Sequence, residues 1–142
     1  MRTVVGWIVV GMLIGIPAGR ASLSADPPGQ RSKKENMVEM GHAYRALHEK
    51  IFTGAIEAKF TDTDFQELSA HAATLIRLAE EYAKLETNAD LANISRNLAR
   101  DTQSVKNQAD RKDAMLAVML FGRIITYCAE CHYQTRWPET TK

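Results

Sequence analysis

The chain has 142 residues, 45% of them hydrophobic, with 18 Lys and Arg against 17 Asp and Glu for a net charge of +1. That balance argues against nucleic acid or anionic lipid as a partner, because both call for a concentrated positive surface.

Met1-Arg2-Thr3 is followed by an uncharged stretch from Val4 to Pro17 and then by small residues from Ala18 to Ala25 around Arg20. A short basic start, an apolar run and a small-residue site read as a secretory signal peptide, residues 1–25, with cleavage near Ala21 or Ala25. The apolar run is shorter than the roughly 20 residues that span a bilayer, so no stable membrane insertion is expected after cleavage. Removal takes away Arg2 and Arg20 and no acid, leaving 16 basic and 17 acidic side chains, a net charge near −1. The remaining 117 residues suit one small domain and not two, and the expected location is the periplasm.

Residues 26–32, with Asp26-Pro27-Pro28-Gly29-Gln30, read as a linker. Proline is then absent until Pro138, and the interval is rich in Ala, Leu, Glu, Lys, Met and Gln, all good helix formers. No strand-like alternation interrupts it, so the class is all-α. Helix one is expected from Lys33 to about Lys59, with the seam Met37, Met40, Tyr44, Leu47, Ile51, Gly54 and Ala58 at alternating steps of three and four. Helix two, capped by Thr63 or Asp64, runs to about Leu85 on Phe65, Leu68, Ala72, Leu75, Ala79 and Tyr82. Asn88 caps helix three, whose more polar stripe is Leu91, Ile94, Leu98, Thr102 and Val105. Helix four starts near Asp110, carries Met115, Val118, Met119, Gly122, Ile125, Ala129 and His132 on one face, and stops at Pro138. Four such helices with short connections predict an up-down-up-down four-helix bundle over residues 33–137, with 138–142 as a tail.

Near the end of helix four stands Cys128-Ala129-Glu130-Cys131-His132. Cys-x-x-Cys-His is the attachment signature of c-type haem. Two thiols one turn apart can each add to a vinyl group, and the adjoining imidazole can ligate the iron. Other uses of the pair fit less well. A thioredoxin-type dithiol follows a strand, whereas a helical pattern precedes Cys128. A zinc site wants four ligands, but there is no third cysteine, and His42, His48 and His71 are distant in sequence. A disulfide across two residues would close a very short loop.

With that motif on the last of four helices, residues from about Lys33 to Trp137 resemble the class II cytochromes c, the cytochrome c′ family. Class I cytochromes c carry the motif near the N-terminus. The resemblance implies one covalent haem c near the C-terminus of the last helix, with Cys128 and Cys131 as thioether cysteines and His132 as proximal iron ligand. Arg136 matches the family's basic position one turn beyond His132, where it could approach a propionate; Thr135 departs from the aromatic residue usual before it. Met37-Val38-Glu39-Met40-Gly41 resembles the segment crossing the distal haem face. It implies Met37 as the distal ligand, with Met40 as the alternative, and Lys33 as a second propionate contact.

The sixth ligand separates two functions. With a methionine bound, the iron suits electron transfer between redox partner proteins; with the position empty, it can bind nitric oxide or carbon monoxide. The expectation is a periplasmic mono-haem electron carrier with His132 and Met37 as ligands and no catalytic residues, the gas-binding form being the alternative. A peroxidase would want a distal His or Arg, for which the seam of helix one offers no candidate. Met115 and Met119 are expected in the core, His42 in solvent, and His48 and His71 at the edges of their stripes. Family members often dimerise through helices one and two. A domain this small is expected to fold poorly without its haem.

Overall fold

The computed structural model describes residues 31–136. The expected signal segment, most of the linker, Trp137, Pro138 and the tail lie outside that range. Within it the chain forms four helices and no strand: α1 Lys33–Ile56, α2 Asp62–Leu85, α3 Ala89–Asp110 and α4 Ala114–Arg136.

Local chemistry sets each boundary. Ser32 opens α1 through a capping box, its hydroxyl accepting from the Glu35 N–H at 3.2 Å while the Glu35 carboxylate accepts from the Ser32 N–H at 2.9 Å. α1 ends three residues before the expected Lys59. Ala58 adopts φ 49°, and the Lys59 N–H reaches back to the Gly54 carbonyl at 3.0 Å. This left-handed closure removes Ala58 from the seam and exposes it. Thr61, rather than Thr63 or Asp64, caps α2; Asp64 is the third helical residue, and its carboxylate returns a bond to the Thr61 N–H at 2.9 Å. Asn88 caps α3 as expected, accepting from Asp90 and Leu91. α3 then runs through Asp110, and Lys112 at φ 59° closes it with the Asp113 N–H on the Gln108 carbonyl at 2.9 Å. α4 therefore begins four residues later than Asp110, with the Asp113 carboxylate accepting from the Leu116 N–H at 3.0 Å.

Both left-handed positions carry a Cβ that glycine would lack, and both side chains are exposed. Ala58→Gly is expected to stabilise the fold by about 0.5–1 kcal/mol, from relief of the left-handed strain less the entropy cost of glycine. A urea midpoint that stays put or falls would contradict this.

Short connections turn the chain back three times. α2 packs most extensively on α3, α1 lies against α2, α4 lies against α3, and α1 and α4 scarcely meet. The bundle is therefore open along its α1–α4 side. Leu47, Leu68, Leu75, Leu78, Val105 and Ile124 are its most deeply buried large apolar side chains. All the stripe residues expected on α2 and α3 are buried, and the α1 seam from Leu47 to Gly54 is buried as well.

The expected face of α4 is the correction. Its buried residues are Ala117, Phe121 and Ile124, whereas Met115, Met119, Gly122, Ile125 and Ala129 are exposed and Val118 is half-buried. Met115 and Met119 are thus not core residues. α4 is apolar nearly all round, so two seams have helical spacing, and the one holding Phe121 packs. Its ring stacks on Tyr44 of α1 at 5.7 Å.

A candidate cofactor cleft

Cys128 and Cys131 lie seven and ten residues beyond Phe121 and continue the same inward face of α4. They open onto a cleft of about 220 Å³ where the start of α1, the end of α2, the start of α3 and the end of α4 converge. α4 contributes Tyr127, Cys128, Cys131 and His132; α1 faces them with Met37, Met40, Gly41 and Tyr44. Leu75 and Tyr82 of α2 and Ile94, Ser95 and Leu98 of α3 close the back. The Ser95 hydroxyl donates to the Ala79 carbonyl at 2.7 Å, which satisfies its proton inside the α2–α3 contact. Tyr44 lines the cleft and its ring stacks on Phe121, and His48 (5.9 Å from Phe121) and Phe52 (5.6 Å from His48) continue this aromatic row.

Two polar clusters hold the walls. Tyr127 donates to Asp101 at 2.9 Å, and Arg123 and Arg100 approach the same nearly buried carboxylate at 3.0 and 3.6 Å. At the rim, Tyr82 donates to Glu86 at 2.8 Å, and Glu86 also accepts from the Thr87 and Asn88 N–H groups and pairs with Lys33 at 3.2 Å. Burial raises the Glu86 carboxyl, but the Asn88 N–H, the Tyr82 hydroxyl and Lys33 outweigh it and leave the pKa below the usual carboxylate value. Burial, then the neighbouring Glu86, drives the Tyr82 phenol far above its ordinary range.

Burial also pushes both thiols up, assisted by Cys131 at Cys128 and by Glu86 and Glu130 at Cys131. A redox-active dithiol has the opposite setting, an electropositive one that lowers the thiol pKa. Both cysteines are free and face an apolar cavity.

The cleft gathers five of the seven residues singled out in the sequence: Cys128, Cys131, His132, Met37 and Met40. Lys33 is at the same end but pairs with Glu86, and Arg136 is exposed at the last turn of α4. His42 is exposed, while His48 and His71 are half-buried, and none of the three lines the cleft. The donor set suits haem c. Two thiols and an imidazole lie on one wall, two thioether sulfurs on the other, and apolar side chains between them can cover a macrocycle.

Sequence reading missed the supports. Asp101 falls between Leu98 and Val105 on the buried face of α3, a hint that this acid has a partner. Its partner Tyr127 is 26 residues away, beyond the reach of any local pattern.

Comparison of the chain with protein-family models, curated proteins and solved structures gave no match.

Proposed function

We propose that this chain is an exported mono-haem c-type cytochrome that carries electrons, with Cys128 and Cys131 as thioether sites and His132 and Met37 as axial ligands. The observation that carries the reading is convergence: the Cys-x-x-Cys-His motif faces an apolar cleft whose opposite wall presents two methionines. Bound there, haem c would supply a one-electron iron couple.

The chain's own residues would bind, orient and shield it. Cys128 and Cys131 would anchor one edge to α4, while Tyr127, held by Asp101, fixes the α4 wall against α3. Leu75, Ile94 and Leu98 exclude water from the back of the cleft. His132 is exposed as well as cleft-lining, which gives a redox partner access to this edge.

Gas binding is the second reading, in which Met37 lines the distal side of the cleft without ligating. Absorption spectra with and without carbon monoxide separate the two. A carrier gives sharp low-spin bands indifferent to carbon monoxide, and Met37→Ala turns it high-spin. A spectrum unchanged by that substitution removes Met37 as the ligand and turns the test to Met40→Ala. A high-spin wild type that shifts with carbon monoxide establishes gas binding. Absence of covalent haem after expression with the attachment machinery overturns both readings.

A further inference from the structure

The C-terminus of α2 ends on an acid that helix chemistry does not call for. A cation suits that end of a helix, and Lys84 in the last turn supplies one. Yet Glu86 follows as the cap residue, with only 8% of its side chain exposed. Four donors hold its carboxylate. The Thr87 and Asn88 N–H groups and the Lys33 ammonium reach one oxygen at 2.8, 2.9 and 3.2 Å, and the Tyr82 hydroxyl reaches the other at 2.8 Å. Burial alone would raise the carboxyl, but these donors outweigh it, so Glu86 is an anion at neutral pH.

None of the described residues lining the cleft is an Asp, Glu, Lys or Arg, so fixed charge reaches it from behind its walls. Two tyrosines carry that charge inward. Tyr82 lines the cleft with Cys131 and His132 and donates its proton to Glu86, which puts the carboxylate one hydrogen bond behind the wall. Tyr127 stands before Asp101 in the same way, but two guanidinium groups face that acid, at 3.0 and 3.6 Å. Glu86 has a single ammonium opposite it, and the Lys33 side chain is 43% exposed. Water therefore screens the cation more than the anion, while the apolar cleft screens poorly.

We propose that Glu86 sets the potential of the cofactor held in this cleft: its carboxylate, presented through Tyr82, favours the oxidised state, and Lys33 limits the effect. The proposal rests on the haem c reading above. Oxidation sends one electron to the redox partner protein and leaves one more positive charge in the cleft. An anion one hydrogen bond behind the wall stabilises that charge. No proton moves, because Glu86 is already ionised.

Equilibrium redox titration of the full haem-loaded protein at neutral pH tests this. Glu86→Gln keeps an oxygen to accept from the Thr87 and Asn88 N–H groups and removes the charge. It is expected to favour the reduced state about tenfold, a rise of about 59 mV for one electron, the order expected of one partly buried unit charge. Lys33→Met bares the anion and should move the equilibrium the other way, by about threefold. Tyr82→Phe changes no charge and should shift it less than Glu86→Gln does. Absorption spectra of all three should match the wild type, so that the axial ligands are unchanged. Shifts of the same sign in Glu86→Gln and Lys33→Met, or shifts below about twofold in both, overturn the proposal and leave the haem reading intact. An altered axial spectrum in Glu86→Gln makes Glu86 a structural support and overturns it too. If Glu86→Gln fails to load haem, a Lys33→Met potential at or above that of the wild type is sufficient to overturn it. A chain with no covalent haem overturns the proposal together with the reading beneath it.

Discussion

In the proposed cytochrome, replacing Cys128 and Cys131 together by alanine is expected to leave no haem bound to the chain after denaturation, whereas either single replacement leaves one thioether and a weaker band on a haem-stained denaturing gel. Both thiols open onto the cleft, so each is placed for its own bond, and the loss should be stepwise. Losing the covalent tether should also cost stability, because a group that binds only the folded state adds to the free energy of folding. Without it, the apolar walls from Leu75 to Leu98 are left facing a cavity of about 220 Å³ with no large group to cover them. The haem-free chain is therefore expected to lose helix content and to melt without a sharp transition. Circular dichroism showing near-native helicity and a cooperative melt would refute that second expectation while leaving the first intact.

Asp101→Ala is expected to destabilise the protein by about 2–3 kcal/mol, the range for stripping a nearly buried carboxylate from its hydrogen-bonded partners. Asp101 accepts from Tyr127 at 2.9 Å and pairs with Arg123 at 3.0 Å, and both belong to α4. The guanidinium groups of Arg100 and Arg123 are largely in water, so the ion pairs contribute less than the Tyr127 bond. Tyr127→Phe alone should cost about 1 kcal/mol. The double variant should lose less than the two single losses combined, because the bond between the residues is lost only once. Strict additivity in urea denaturation would show that the pair is not coupled. Because Tyr127 adjoins Cys128, Asp101→Ala should also disturb the visible spectrum of the loaded protein, which an unrelated core defect would leave alone.

The parts of the fold legible in the sequence are those where one face of a helix differs chemically from the other. α2 and α3 carry charges and amides outside, so Leu68, Leu75, Leu98 and Val105 define a single inward stripe. α4 lacks that contrast. Met115 and Met119 keep helical spacing as well as Phe121 and Ile124 do, and only contact with Tyr44 decides between the two seams. Helix ends were obscured for a related reason: Ala58 and Lys112 occupy left-handed positions where glycine is the usual marker. The candidate site was legible where its residues are neighbours in sequence, as in Cys128-Ala129-Glu130-Cys131-His132. The Lys33–Glu86 pair spans 53 residues, and nothing local in the chain announces it.

The scant contact between α1 and α4 gives the molecule the mechanics of a clasp. Each outer helix is fastened to the α2–α3 spine, and the Tyr44–Phe121 stack is the catch between the two free edges. The cleft lies beside that catch, whereas Leu68, Leu78 and Val105 are buried along the spine. A broad, flat guest held in the cleft would present its edge on this open side, and the chain need not be threaded around it.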